Sequence, residues 1–63
     1  MKADAAIAQA IVQERHPDQM VGIPRWSPFA GGFYTVTTSG GQELVSIDTI
    51  NRKRNIKHQE ARQ

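Results

Sequence analysis

The sequence predicts an α+β domain in the order αβββ: one N-terminal helix packed on a small two- or three-stranded antiparallel sheet, followed by a basic C-terminal tail. Three observations carry this expectation. An Ala-rich stretch without Gly or Pro opens the chain, two β-branched runs flank Gly40-Gly41, and positive charge is concentrated after Asp48. A chain of 63 residues has room for one small core. Residues 1–50 are therefore read as a single domain and residues 51–63 as a basic, partly flexible tail.

The helix is expected over Ala3 to Arg15, where unbranched residues dominate. Ala3, Ile7, Ala10, Ile11 and Glu14 recur at helical steps, so Ile7 and Ile11 with flanking alanines form the docking stripe. Small alanines permit close approach to a sheet. Asp4 suits the positive end of the helix, Arg15 and His16 suit the negative end, and Pro17 stops it.

Met20 to Pro28 alternates apolar residues with Gly22, Pro24 and Pro28, which predicts a short edge strand or an extended arm, because proline cannot donate to a central ladder. Phe29-Ala30-Gly31-Gly32 then reads as a turn. Phe33 to Thr38 and Gln42 to Asp48 are strand-like runs about a Gly40-Gly41 turn. That turn pairs Val36 with Val45 and Tyr34 with Ile47, placing all four on one face. The other face carries Phe33, Thr35, Thr37, Leu44, Ser46 and Asp48. The expected core is Ile7, Ile11, Ile23, Trp26, Tyr34, Val36, Val45 and Ile47.

An Ala-rich helix, a Gly-containing strand, Tyr34-Thr35-Val36, Gly40-Gly41 and then Leu44-Val45-Ser46-Ile47-Asp48 resembles the order of PepSY-type modules. The resemblance implies a helix on an antiparallel sheet and no particular function. This chain departs from it after the aspartate, where Thr49-Ile50-Asn51 replaces the usual Thr-Gly turn.

Residues 49–63 hold five cations against one carboxylate, whereas residues 1–48 hold three against five. The sequence pI of about 9.5 thus belongs to the C-terminal segment. That segment is expected either as a short polar helix capped by Asp48 or as a further edge strand.

Chemistry is sparse. No cysteine is present, and His16 and His58 have no neighbouring set of metal-ligating residues. The serines lack a nucleophile-elbow signature, and neither glycine pair is followed by the Lys-Ser/Thr of a phosphate loop. The reading is that the protein is not an enzyme and needs no cofactor or metal. No apolar run approaches the roughly 20 residues of a membrane span, and the first residues lack a signal-peptide pattern, so the expected setting is cytoplasmic, with no membrane partner.

Two features remain to carry a function. Arg25 and Trp26 belong to the residue types that dominate interface hot spots, although a lone tryptophan in a small domain is more often its main core residue than an exposed anchor. Arg52, Lys53, Arg54 and Lys57 form the one concentrated run of cations. Together they suggest a small interaction protein that occupies the surface of a larger protein or protein–nucleic acid complex and modulates or inhibits it. The alternative is a small nucleic-acid-binding protein whose basic C-terminal segment contacts phosphates directly. A homodimer completed through a sheet edge is compatible with both.

Overall fold

The Ala-rich opening stretch forms helix α1, Ala3–Arg15. The computed structural model describes the backbone of residues 3–61 and the side chains of residues 3–55. The C-terminal end of α1 is closed by the His16 amide donating to the Val12 carbonyl at 3.0 Å, immediately before Pro17. Strands β1 (Arg25–Ser27), β2 (Phe33–Thr38) and β3 (Gly41–Ser46) follow, with a single 3₁₀ turn at Phe29–Gly31, and helix α2 spans Ile47–Ala61. The strands form one antiparallel sheet in the order β1-β2-β3. The α+β class is as expected. The segment read as a basic tail is the body of α2, so the order is αβββα.

The hairpin keeps the expected faces but not the expected register. Tyr34 pairs with Val45 and Val36 with Glu43, two residues away from the anticipated pairing, and the turn is Ser39-Gly40. A two-residue shift preserves the alternation, so Tyr34, Val36 and Val45 still share the helix-covered face. Local polar contacts select this turn. The Gly40 amide donates to Thr38 Oγ1 at 3.2 Å, and Ser39 is clasped by Met20 through two hydrogen bonds of 3.1 Å. Gly41, at φ +143°, begins β3 in a conformation that favours glycine.

The core consists of Ala5, Ala8, Ile11 and Val12 from α1, Tyr34, Val36 and Val45 from the sheet, and Ile50 from α2. Relative to the expected stripe, α1 is rotated so that Ala5, Ala8 and Val12 face inward, while Ile7 packs at the margin with Ile47. Ala8 and Val12 are completely buried, because alanine at steps of three brings the helix axis close to the pleat. Four expected core residues are not in it: Ile7 and Ile47 are only partly buried against it, and Ile23 and Trp26 are 73% and 52% exposed.

Helix α2 starts at a serine rather than at Asp48. Ser46 Oγ accepts from the Thr49 amide at 3.2 Å, the N-cap to N3 geometry, and Asp48 sits in the first turn, where its charge suits the helix dipole. Two apolar residues anchor the helix: Ile50 is fully buried, and Ile47 in the first turn packs half-buried against the core. Around them, Lys53 Nζ donates to Glu14 Oε2 at 2.7 Å and Arg54 pairs with Asp4, bracing α2 to both ends of α1. Exposed pairs of this kind contribute roughly 0–1 kcal/mol each, against about 1.5–3 kcal/mol for burying an isoleucine side chain. Packing therefore holds α2 in place and the ion pairs orient it.

A third set of contacts ties the end of α1 to β3. Glu43 Oε2 accepts from Arg15 Nη1 at 3.1 Å, and Glu43 Oε1 lies 2.7 Å from His16 Nε2. These contacts, His16 first and Arg15 second, hold the Glu43 carboxyl below its ordinary value of 4.5. A depressed carboxylate stabilises the fold fully above its unfolded pKa, and the contribution disappears as pH falls through the lower folded value. Melting temperatures taken from pH 7 to pH 3 should therefore fall less steeply below about pH 4.5 for Glu43→Gln than for the natural chain. Parallel acid limbs would show that the carboxylate is not held this way.

Candidate interaction surface

The position of Trp26 follows from one extra residue. Val21 bridges Thr38, and Arg25 pairs with Thr35, so four steps along the segment leading into β1 oppose three along β2. The intervening Gly22-Ile23-Pro24 is a bulge, at which Pro24 supplies no amide to the ladder and Gly22 still donates to the Thr37 carbonyl at 2.8 Å. The bulge reverses the alternation. Without it, Trp26 would share the open face of the sheet with Phe33; with it, Trp26 pairs with Tyr34 and lies on the helix side.

Helix α1 packs on β2, and α2 packs on α1 and β3. Trp26, on the edge strand, is consequently only half covered. Its ring lies 5.0 Å from that of Tyr34 at an interplanar angle of 55°, and the buried Tyr34 thereby serves as its floor. Its six-membered ring edge rests on Gly32, where a Cβ would overlap Cη2 and stand only 3.2 and 3.3 Å from Cζ2 and Cζ3. The indole is thus held from below and open above.

The turn that delivers Gly32 is strained. Ala30, Gly31 and Gly32 have successive φ values of 52°, 81° and 103°. For Ala30 the left-handed conformation costs roughly 1–2 kcal/mol. Hydrogen bonds fasten the turn: the Gly32 amide donates to the Phe29 carbonyl at 2.9 Å, and the Ile47 amide to the Gly32 carbonyl at 3.1 Å. From the bulge to this turn the chain exposes Ile23, Trp26 and Phe29 at 73%, 52% and 75%.

The remaining expected binding residues do not assemble with Trp26. Arg25, its neighbour in β1, pairs with Thr35 and so projects from the opposite, open face. Lys53 and Arg54 are engaged by Glu14 and Asp4. Arg52 is exposed and has no ion-pair partner among the described residues. Lys57 lies on α2, and its side chain is outside the described residues.

A shallow recess of about 110 Å³ beside the Glu43–His16 contact is lined by Thr38 and the hairpin turn. The Thr38 hydroxyl there donates to the Gly41 carbonyl and accepts from the Gly40 amide, so it is occupied in holding the turn. Among the described residues no three His, Asp or Glu side chains converge as a metal site, and no helix is long and apolar enough to cross a membrane. Neither a family model, nor a characterised protein, nor a solved structure matches this chain.

Proposed function

We propose that this chain is a non-enzymatic interaction protein that docks on a larger protein through the β1 edge, with Trp26 as its anchor, and modulates that partner by occupying its surface. The observation that carries this reading is an indole fixed between Tyr34 and Gly32 and still 52% exposed. A tryptophan held in place before binding loses little conformational freedom on docking, and residues of this type dominate interface energetics. Ile23 and Phe29, three residues to either side, are exposed as well, and β1 is an outer strand whose free side can accept a strand of a partner. Direct phosphate binding is supported less well. Glu14 and Asp4 stand against Lys53 and Arg54, so a polyanion laid along this run would meet two carboxylates.

Crosslinked affinity capture, with the natural chain beside Trp26→Ala, tests the proposal once the captured protein is purified and titrated back. The expected result is direct binding that weakens by about 30-fold or more in Trp26→Ala, the size of a hot-spot residue, while circular dichroism shows a folded variant. Equal affinity of the two chains for the purified partner would overturn the role of Trp26. Tight oligonucleotide binding that falls steeply with salt and is lost in Arg52→Glu would replace this reading with the nucleic-acid one.

A further inference from the structure

Helices α1 and α2 border a second feature, an open groove that the β1 edge does not explain. Ile11, Glu14 and Arg15 on α1, and Thr49, Arg52 and Lys53 on α2, line a groove of about 340 Å³. Each set follows the i, i+3, i+4 spacing that puts three side chains on one face of a helix, so the two faces oppose each other across the groove. The walls are mainly apolar: the buried Ile11 forms the floor, with the Thr49 methyl and the aliphatic stems of Arg15, Arg52 and Lys53 around it. Three cations and one carboxylate stand at its rim.

The charges are not equivalent. Lys53 is held by Glu14 and Arg15 by Glu43, which leaves Arg52 as the rim cation without a carboxylate among the described residues. A guanidinium beside an apolar trough suits one carboxylate next to an apolar side chain, the carboxylate meeting Arg52 in a forked pair and the apolar group covering Ile11. A nucleic-acid strand fits poorly, because among the described residues the groove has no aromatic side chain for a base to stack on, and Glu14 would face the phosphates. We propose that this groove is a docking site for an acidic peptide segment of a partner protein, with a Leu or Phe flanked by Asp or Glu. The inference rests on the reading of the chain as a protein-binding protein and adds a second contact on different elements.

A labelled synthetic peptide containing Leu flanked by Asp and Glu, titrated by fluorescence anisotropy into the full chain, tests the site without the Trp26 partner. Saturable binding is expected, weaker by roughly 10-fold or more when the peptide carboxylates are replaced by amides and when Arg52→Glu is introduced, with partial recovery in Arg52→Lys. Arg52 is exposed, so circular dichroism should show Arg52→Glu folded. Absence of saturable binding, or equal affinity for the amide peptide, would overturn the proposal. So would a labelled single-stranded oligonucleotide that binds more tightly than the peptide and depends on Arg52, or sedimentation showing that a second copy of the chain fills the groove. Failure of the peptide leaves the Trp26→Ala comparison standing, and failure of that comparison leaves the peptide result standing.

Discussion

Ile50→Ala should lower stability by about 2–5 kcal/mol, the range for truncating a buried isoleucine, and should lower the melting temperature by at least about 10 °C. Domains of this length have roughly 3–9 kcal/mol in all, so the loss is a large part of the total. The size of the effect follows from the lack of alternatives. Ile50 is the one fully buried residue of α2 among the described residues, and it closes the core against α1 and β3. Removing the ion pairs instead, by Lys53→Ala or Arg54→Ala, should change stability by no more than about 1 kcal/mol. Thermal unfolding followed by circular dichroism separates the two. If Ile50→Ala melts within a few degrees of the natural chain, α2 is not held by packing. The same reasoning makes deletion of everything after residue 50 an unfolding experiment rather than the removal of a charged tail.

The sequence left α2 undecided between a short polar helix and an edge strand. Ile47 and Ile50 are one helical turn apart but are followed by five polar residues, too short a stripe to fix a helical period. The signal present was the cap: Ser46 three residues before Thr49, which the structure uses in place of Asp48. Helix α1 was legible because composition alone favours it, yet its inward face was not. Ile7 is a larger apolar residue than Ala5 or Ala8, and closeness of approach, which a pattern of hydrophobicity does not encode, decided for the alanines. In the hairpin, alternation specified the faces and was silent about the register, because a shift of two residues leaves every side chain on its own side. Thr38 and Ser39 made that choice through hydrogen bonds to Gly40 and to the remote Met20.

Trp26 shows the same limit at the candidate site. Whether its ring is buried or exposed had no answer in its flanking residues, since its placement depends on a bulge three residues upstream and on a glycine six residues downstream. Pro24 signalled an interruption of the ladder, but only the count of steps between Val21–Thr38 and Arg25–Thr35 shows that the interruption turns the indole to the helix side. Arg25 and Trp26 looked like a joint anchor because they are adjacent. Adjacency in a strand places them on opposite faces.

The contact between Gly32 and Trp26 can be separated from the conformational demand on the turn by two parallel substitutions. Gly31→Ala and Gly32→Ala both force a Cβ onto a backbone with positive φ, at +81° and +103°, and each should destabilise by about 1–3 kcal/mol for that reason. At Gly31 nothing lies within 4 Å of the added carbon, whereas at Gly32 it overlaps the indole. Gly32→Ala should therefore be the less stable of the two and should displace the ring. Trp26 is the sole tryptophan, so its fluorescence reports on that displacement alone. The expected result is an altered emission maximum in Gly32→Ala and an unchanged one in Gly31→Ala, with partner affinity reduced toward that of Trp26→Ala in the first and retained in the second. Identical emission and identical melting in both variants would mean that Gly32 does not seat the ring. If Gly32→Ala moves the ring but leaves partner affinity intact, then the seat on Gly32 is not needed for docking. The strained turn after Phe29 would then be needed to expose Phe29 and to tie the sheet edge to the first turn of α2, rather than to present Trp26.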